Sequence, residues 1–367
     1  MSQTPDGITT AVAQPKLRSR KGGAAVPLDE TDKRLMNLLQ SRFPLHPKPF
    51  EEIATAAGLG TDEVKSRTQR LLDERIIREI TPIFDTRALG YSSMLVAAKV
   101  DAENPHRAAK IINSHPGVSH NYLRTHEFNL WFTIATPPDS RLGLEGTLRV
   151  LQDLTAAESI RQLPTLTLFK INMNLEMEGG TEELAAPVEA APPRELERQP
   201  YDETDVSVIR ALQGPMEVTD RAYDAAAAEA GMSTDELLAH LSGMVGRKLL
   251  RRVAAILFHR RAGFSANGMG VWRVPEERIL EVGSRMAAVR GISHCYQRPT
   301  YEDWPYSVFT MAHGRSKEEC DAILDGIADT HELHGEDRAV LYSSTEFKKI
   351  RLHYFTDDYS RWEAEHS

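Results

Sequence analysis

The sequence predicts an α+β protein made by tandem duplication, in which each copy is a winged helix-turn-helix unit followed by a ferredoxin-like βαββαβ domain. Two repeated stretches carry this prediction. LDETDKRLMNLLQ at 28–40 returns as YDETDVSVIRALQ at 201–213, and GVSHNYLR at 117–124 returns as GISHCYQR at 291–298. The offset changes only from 173 to 174 residues between the two pairs. Repeats kept in this order indicate a duplicated unit.

The repeats divide the chain into six segments. GGTEELAAPVEAAPPRELERQP has four prolines and no aromatic residue, which is typical of a linker. The predicted segments are a disordered arm at 1–26, a helix-turn-helix domain at 27–90, a ferredoxin-like domain at 91–178, the linker at 179–200, a second helix-turn-helix domain at 201–263 and a second ferredoxin-like domain at 264–360.

Three short helices are expected at the start of each copy. Asp29 and Asp202 precede helical patterns, as N-caps do. A second helix is predicted over 50–57 and ends at a glycine. Thr61 and Thr234 are predicted to cap the third helix, which in the first copy is expected to continue through LLDERIIREI. Three helices with a glycine turn resemble a winged helix-turn-helix.

The remainder of each copy alternates between strand and helix patterns. This order predicts the βαββαβ plan. In the first copy the predicted elements are a strand at 92–100, a helix at 104–116, the strands VSHNYLR and FNLWFTIAT, a helix at 140–154 and a strand at 163–173.

Composition excludes several classes of protein. The formal net charge of −9 argues against charge-driven binding of nucleic acid. The two cysteines, Cys295 and Cys320, form no CxxC pair, so neither a zinc site nor a disulfide framework is expected. No apolar run reaches the roughly 18 residues of a membrane span, and the amino terminus has no apolar signal region. We therefore expect a cytoplasmic protein without a membrane partner.

The repeated pattern Ser-His-x-Tyr-x-Arg places three polar side chains on one face of a strand, because side chains alternate along a strand. The two sets are His120, Tyr122 and Arg124 in the first copy, and His294, Tyr296 and Arg298 in the second. A single histidine in a half-buried strand is usually structural. Here the three polar types recur while their neighbours differ, Asn121 against Cys295, and this favours a functional site.

A helix-turn-helix unit followed by a βαββαβ domain resembles the Lrp/AsnC regulators. LDETDKRLMNLLQSRFPL, IIREITPIFDTRALGYSS and SHNYLRTHEFNLWFT resemble one subunit of the siroheme decarboxylases. FHRRAGFSANGMGVW and GISHCYQRPTYEDWPYSVFTMAHG resemble the other subunit. The resemblance covers nearly all of residues 28–356, so it implies both subunits fused into one chain.

The resemblance implies a reaction, which is the loss of two acetate carboxyl groups from siroheme to give didecarboxysiroheme in d1-type or alternative haem synthesis. It implies no cofactor beyond the iron that siroheme carries. The predicted catalytic residues are His120, His294, Tyr122 and Tyr296. A histidine with a pKa of about 6.5 can deliver a proton at neutral pH, and a neutral imidazole can instead ligate the iron of the substrate. The two roles stay open, as does the structural alternative.

A flat macrocycle rich in carboxylates needs cations at its rim and an apolar slot. Arginine suits the rim because its guanidinium pairs with a carboxylate through two hydrogen bonds. The predicted rim residues are Arg124, Arg298, His126, Arg87, Arg260 and Arg261, and the predicted walls are Trp131, Met269 and Trp272. The purely structural alternatives are surface ion pairs for Arg87 and Arg260, and ordinary core packing for Trp131, Met269 and Trp272.

Two other functions are compatible with a helix-turn-helix unit and paired histidines. A DNA-binding regulator reads DNA with polar and basic side chains of its third helix. The first copy offers Lys65, Arg67 and Arg70 there, whereas TDELLAHLSGMVGRK in the second copy offers mostly apolar residues and glycine. Specific DNA binding is therefore not expected. A haem-binding sensor would use the same histidines without chemistry.

The two copies are expected to pair within one chain as a pseudo-dimer, because the short linker keeps their effective concentration high. The ferredoxin-like sheets should then face each other, with the helix-turn-helix units outside. Dimerisation of whole chains stays open. Of the two histidines, His294 is predicted to matter more, because its surroundings resemble the family more closely.

Overall fold

The first copy contains both predicted parts in sequence order. The structure is a computed structural model, which describes residues 28–171, 198–258, 266–314 and 316–366. The predicted arm at 1–26 and most of the predicted linker at 179–200 lie outside the described residues. The elements of the first copy are α1 (Glu30–Ser41), α2 (Pro49–Ala57), α3 (Thr61–Asp73), β1 (Ile77–Phe84), β2 (Ser92–Lys99), α4 (Pro105–Ser114), β3 (Val118–Arg124), β4 (Leu130–Thr136), α5 (Gly143–Thr155), β5 (Ser159–Leu163) and β6 (Thr167–Ile171).

The second copy repeats this order and adds a helix at its end. Its elements are α6 (Glu203–Ala211), α7 (Asp224–Glu229), α8 (Thr234–Gly246), β7 (Leu250–Leu257), β8 (Ala266–Trp272), α9 (Ile279–Ala288), β9 (Ile292–Gln297), β10 (Val308–Gly314), α10 (Lys317–His331), β11 (Arg338–Lys349) and α11 (Asp358–His366). The α+β class and the tandem duplication are thus confirmed.

The first helix of each copy begins at the predicted cap. The carboxylate of Asp29 accepts a hydrogen bond from the backbone N–H of Asp32, whose own carboxylate accepts one from the backbone of Asp29. Asp202 and Asp205 form the same reciprocal pair at α6. Each capping box satisfies backbone donors that would otherwise lack a partner at a helix start.

The caps of the third helices were predicted one residue too late. Thr61 and Thr234 are the first helical residues, and the caps are Gly60 and Ser233. Ser233 accepts a hydrogen bond from the backbone N–H of Glu236 and forms a capping box. The predicted spacing was wrong because the residue before the threonine already has the extended backbone that a cap needs.

The third helix of the first copy is also shorter than predicted. It ends at Asp73, and Arg75 adopts a left-handed φ of 56°. Most of the segment IIREI belongs to β1, which pairs antiparallel with β7 of the other copy. The helix prediction failed here because pairing with a strand far along the chain outweighs local helix propensity.

The β1–β7 pair joins the two helix-turn-helix units. One hydrophobic cluster extends through both units and includes Leu39, Phe43 and Leu71 from the first with Tyr223 and Leu241 from the second. The rings of Phe43 and Tyr223 lie 6.2 Å apart. The two units therefore share a core and cannot separate without exposing apolar surface.

The last predicted strand of the first copy, 163–173, contains β6, whereas β5, which precedes it, was not predicted. β5 ends at Leu163, and β6 begins at Thr167 after Pro164. Proline has no N–H to donate to a ladder, so the strand is interrupted there. In the second copy, β11 continues without a break over twelve residues.

The two copies exchange strands in one nine-stranded sheet with the order β5-β2-β4-β3-β11-β8-β10-β9-β6. The first part of β11, 338–342, pairs with β8 of its own copy, and the second part, 343–349, pairs with β3 of the other copy. β6 of the first copy pairs with β9 of the second. Each copy therefore completes the sheet of the other, as in an intramolecular pseudo-dimer.

The sheet has one half formed mainly by strands of the first copy and one formed mainly by strands of the second. Side chains of both copies form a hydrophobic core between these halves. Ala97 and Trp131 of the first copy belong to one buried cluster with Met269, Trp304 and Phe309 of the second. The opposite faces of the sheet pack against the helices of each copy. The prediction that the ferredoxin-like sheets face each other is thus confirmed.

The carboxy-terminal helix α11 was not predicted. It packs on the first copy, where the ring of Trp362 lies 4.6 Å from that of His115 in an edge-on contact. Buried Glu363 accepts hydrogen bonds from the backbone N–H of Arg141, at 3.1 Å, and from the hydroxyl of Ser140. None of the helices in the described ranges combines the length and the apolar character needed to cross a membrane.

Candidate active site

The repeated motif lies on β3 in the first copy and on β9 in the second. The residue between His and Tyr faces the helices in both. Asn121 donates hydrogen bonds to Ala109 O and Asn113 Oδ1 on α4, at 3.4 and 3.0 Å. The Cys295 thiol donates to Gly283 O on α9, at 3.4 Å. Because side chains alternate along a strand, the His, Tyr and Arg of each motif point to the inner face, between the halves of the sheet.

Histidine and tyrosine stand side by side in both motifs. The ring centroids of His120 and Tyr122 are 6.2 Å apart, and those of His294 and Tyr296 are 5.9 Å apart. In each copy the hydroxyl of the preceding serine is bonded to the Nδ1 atom of the histidine, at 2.9 Å in the first copy and 2.6 Å in the second. The serine therefore fixes the orientation of the imidazole, so that Nε2 faces away from it.

The motif arginines reach across to the other copy. Arg124 Nη1 donates to the backbone oxygen of Leu341, at 3.0 Å, and Arg298 Nη1 donates to the backbone oxygen of Leu163. Leu341 and Leu163 hold equivalent positions in the two copies. Burial lowers the pKa of each arginine to about 10, and both guanidinium groups therefore stay charged at neutral pH.

Aromatic rings hold each guanidinium in place. Arg124 lies 5.8 Å from the ring of the tyrosine in its own motif and 5.9 Å from that of Trp131. Arg298 lies 4.9 Å from its tyrosine and 5.4 Å from Phe309. The Nε atoms of both arginines are buried without an acceptor among the described residues. A buried donor without a partner costs free energy, so a ligand carboxylate that accepts from it would bind favourably.

Arg87 of the first copy lies near enough to Tyr296 and Arg298 of the second copy for its charge to act on both. Burial raises the pKa of Tyr296, and the nearby charges of Arg298 and Arg87 act in the opposite direction. The charge of Arg87 also contributes to the lowered pKa of Arg298. Its equivalent Arg260 and the neighbouring Arg261, both predicted as rim residues, lie outside the described residues.

The environment of His120 differs from the one expected. Burial, together with the charges of Lys349 and Arg78, lowers the pKa of His120 to about 4. Lys349 is the cross-strand partner of His120, and Arg78 Nη2 donates to the backbone oxygen of Lys349 at 3.3 Å. This pKa lies well below the value of about 6.5 that would suit proton delivery at neutral pH. At neutral pH it is an uncharged imidazole.

The three predicted walls divide between the two faces of the sheet. Trp131 and Met269 lie in the core between the halves of the sheet, together with Trp304. Trp272 lies on the opposite face, under the helices, and its Nε1 donates to Thr310 Oγ1 at 2.9 Å. Trp272 and Met269 are three residues apart, an odd spacing that puts them on opposite faces of a strand, so Trp272 cannot wall the same slot.

His126 lies in the turn after β3. Its Nδ1 accepts a hydrogen bond from the backbone N–H of Phe128 at 3.1 Å, and its ring packs edge-on against Trp304, 5.3 Å away. The strand from His120 to Arg124 alone spans about 13 Å at roughly 3.3 Å per residue. His126 therefore lies beyond the arginine end of the motif and not next to His120.

The basic residues of α3 form ion pairs with carboxylates of this chain. Arg67 and Arg70 both bind the buried carboxylate of Asp32, at 2.9 and 2.6 Å. Lys65 binds Asp220 of the second copy at 2.6 Å. In the second copy, α8 offers no matching basic face, as the sequence already indicated. A helix whose cations are paired with carboxylates is poorly suited to bind phosphates.

Two residues near His120 were missed. Arg78 was not predicted as a site residue because its segment was expected to be helical, and a helix there gives no reason to place Arg78 near β3. Lys349 was not predicted because the repeated pattern gives no sign of it, since the first copy has Ile171 at the equivalent position. In the ranges that the structure describes, there is no group of three or more His, Cys, Asp or Glu side chains that could hold a metal ion.

Family comparisons first define the class of protein. The model of the AsnC-like ligand binding domain matches residues 88–170 and 261–348, once in each copy. The model of the siroheme decarboxylase NirDL-like HTH domain matches residues 32–78. The chain is therefore a tandem AsnC-like protein with helix-turn-helix units.

Individual relatives narrow this class to one family. Siroheme decarboxylase of Hydrogenobacter thermophilus is 38% identical over 91% of this chain and 97% of its own length. The crystal structure of siroheme decarboxylase NirDL in complex with an iron-uroporphyrin III analogue has a TM-score of 0.73 and 33% identity, and the match covers 92% of this chain and 98% of that one. This chain belongs to the siroheme decarboxylase family.

A relative with separate subunits supports the fused organisation. The siroheme decarboxylase beta subunit of Methanosarcina barkeri is 37% identical over 41% of this chain and 99% of its own length. This chain thus has room for two such subunits. The two copies, with their exchanged strands, form the pseudo-dimer that the duplication predicted.

Proposed function

We propose that this chain removes two acetate carboxyl groups from siroheme and releases didecarboxysiroheme and carbon dioxide. The family and the bound iron-uroporphyrin analogue of a relative support this substrate class. The product would then serve d1-type or alternative haem synthesis. The observation that carries the proposal is the pair of His-Tyr-Arg sets on the inner face, each with an arginine that crosses between the copies.

The proposed reaction needs a carboxylate clamp and a source of protons. The bond between the acetate methylene carbon and its carboxylate carbon breaks, and carbon dioxide leaves. The electron pair stays on the methylene carbon, where the pyrrole ring can delocalise it. A proton then joins that carbon and leaves a methyl group. The site must therefore hold the carboxylates, keep water away from the ring and deliver one proton for each carboxyl group lost.

The residues of the two motifs fit these tasks. Arg124 and Arg298 each retain an unused Nε donor for a carboxylate at the macrocycle rim. Trp131 and Phe309 supply apolar surface beside them. The proton would come from the histidine, or from the tyrosine next to it, and each pair of rings is close enough to act on the same substituent.

The iron would enter with the substrate. Siroheme carries its own metal, and we propose no cofactor besides it. A neutral imidazole is a good axial ligand of haem iron, and His120 is neutral at physiological pH. Iron ligation by His120 is therefore the alternative to proton delivery in the first site.

A DNA-binding regulator is a weaker alternative. Arg67, Arg70 and Lys65 of α3 are engaged in ion pairs, two of them with a carboxylate buried in the first helix-turn-helix unit. In the second unit, buried Asp205 binds Arg247 at 2.6 Å and His240 at 2.7 Å. The cations of both units thus stabilise the units themselves.

Anaerobic incubation with siroheme followed by mass analysis tests the proposed function. We expect loss of one and then two carboxyl groups as carbon dioxide. A spectral change on binding, with no change in the mass of the tetrapyrrole even after prolonged incubation, would instead identify a haem-binding sensor. The decarboxylase proposal would then fall.

A further inference from the structure

Two cations stand beside His120 and are not part of the repeated motif. Lys349, on β11, faces His120 across the ladder between β11 and β3. Arg78, on β1, is a quarter exposed and donates to the backbone oxygen of Lys349 at 3.3 Å. The two side chains come from different parts of the fold, one from the helix-turn-helix unit of the first copy and one from the exchanged strand of the second.

The pseudo-symmetry shows how the second site differs. Ile171 takes the place of Lys349 opposite His294. Arg251 takes the place of Arg78, and its Nε and Nη2 donate to one carboxylate oxygen of Asp85, at 2.9 and 2.7 Å. The equivalent of Asp85 in the second copy is a phenylalanine.

The charge of Arg78 is less fully balanced than that of Arg251. Glu79 Oε1 lies 3.5 Å from Arg78 Nε, and Glu79 Oε2 lies 3.8 Å from Arg351. One carboxylate thus serves two arginines at long distances, whereas Arg251 has a close pair of hydrogen bonds to Asp85. Arg78 consequently has the weaker carboxylate contact of the two equivalent arginines.

We propose that Arg78 and Lys349 bind carboxylates of the tetrapyrrole at the His120 site and make this site selective for macrocycles that still carry their acetate groups. This inference rests on the proposed function, because it assumes a tetrapyrrole ligand. An arginine can bind a carboxylate through two hydrogen bonds, and an exposed lysine has a flexible side chain that ends in a single charge. Together they can bind carboxylates at more than one position on the rim of the macrocycle. The second site, with isoleucine and a paired arginine in these places, discriminates less.

Binding of two iron porphyrins tests the proposal without any need for turnover. Iron-uroporphyrin III carries acetate and propionate groups, whereas iron-coproporphyrin III has methyl groups in place of the acetates. The full chain is titrated with each by absorbance. The variants are Arg78→Gln and Lys349→Ile, the latter installing the residue of the second copy. Arg251→Gln is the matched control.

A lost charge-assisted hydrogen bond should weaken binding about tenfold. We expect Arg78→Gln and Lys349→Ile each to lower the affinity for iron-uroporphyrin III about tenfold at one of two sites, and to change that for iron-coproporphyrin III less than about threefold. Arg251→Gln should leave both affinities near those of the unchanged protein. Because Lys349 is exposed, its variant should fold even if Arg78→Gln does not.

Two results would overturn the proposal, namely unchanged affinity for iron-uroporphyrin III in Lys349→Ile, or an equal loss for both porphyrins. The outcome is independent of catalysis. Selective binding together with unreacted siroheme would contradict the proposed decarboxylation and leave the role of Arg78 and Lys349 standing.

Discussion

The surroundings of His120 determine how the first site should respond to pH. Burial is the main reason that its pKa lies at about 4, and the charges of Lys349 and Arg78 act in the same direction. At pH 7, three units higher, about one imidazole in 1,000 carries a proton. If that protonated form delivers the proton to the substrate, the first site operates with a small active fraction at neutral pH.

A variant that isolates the first site makes this measurable. In His294→Gln the second histidine cannot donate as an imidazolium, and kcat/KM should follow the protonated fraction of His120 in the free enzyme. Between pH 7.5 and 5.5 this fraction rises about tenfold for each unit, because both values lie above the pKa of about 4. We therefore expect kcat/KM for siroheme to increase about 100-fold over this range.

The assay is anaerobic turnover of siroheme at low substrate concentration, with product measured by mass. His120→Gln serves as the matched control, and circular dichroism at each pH establishes that the protein stays folded. A profile that levels off near pH 6.5 would refute the burial argument, since it would mean an unshifted histidine. A flat profile would refute proton delivery by His120 and favour iron ligation by the neutral ring.

Three further results are expected. The double variant His120→Ala, His294→Ala should lose about 100-fold or more in turnover, and wild-type turnover would exclude both histidines as acids. Arg124→Ala or Arg298→Ala should weaken siroheme binding by about 1–3 kcal/mol in an absorbance titration, and unchanged affinity in both would reject the rim assignment. The pKa of buried His115 is lowered to about 3, mainly by burial, so the folded state resists protonation. The free energy of unfolding should therefore fall by up to about 1.4 kcal/mol per pH unit as pH drops from 6.5 towards 3. In His115→Gln the urea-unfolding midpoint should depend less on pH over that range. The same pH dependence in the variant and the unchanged protein would contradict this.

Much of the site followed from the period of two along a strand. That period put His120, Tyr122 and Arg124 on one face, and the structure brings their side chains together. The same rule, applied to Met269 and Trp272, would have separated them, because they are three residues apart. The spacing of three residues is itself the sequence signal that the two side chains lie on opposite faces.

Other parts of the site could not be read from the sequence. The oxygen atoms that receive Arg124 and Arg298 are backbone atoms of the opposite copy, and any residue type supplies such an atom. Lys349 and Arg78 lie 271 positions apart along the chain. The pairing of β11 with β3 brings Lys349 opposite His120, and Arg78 reaches the same place through its hydrogen bond to the Lys349 backbone. Distances of this kind depend on strand register, which local patterns do not determine.

The duplication, the order of elements in each copy and the face that carries the motif could all be predicted from the sequence, because repeats and side-chain periodicity are local properties of the chain. Three features became visible only in the folded chain: β6 and β11 complete the opposite copies, most of IIREI pairs with β7 as a strand, and His120 is uncharged at neutral pH. Strand pairing depends on contacts between distant segments. A pKa depends on burial and on charges that only folding brings near.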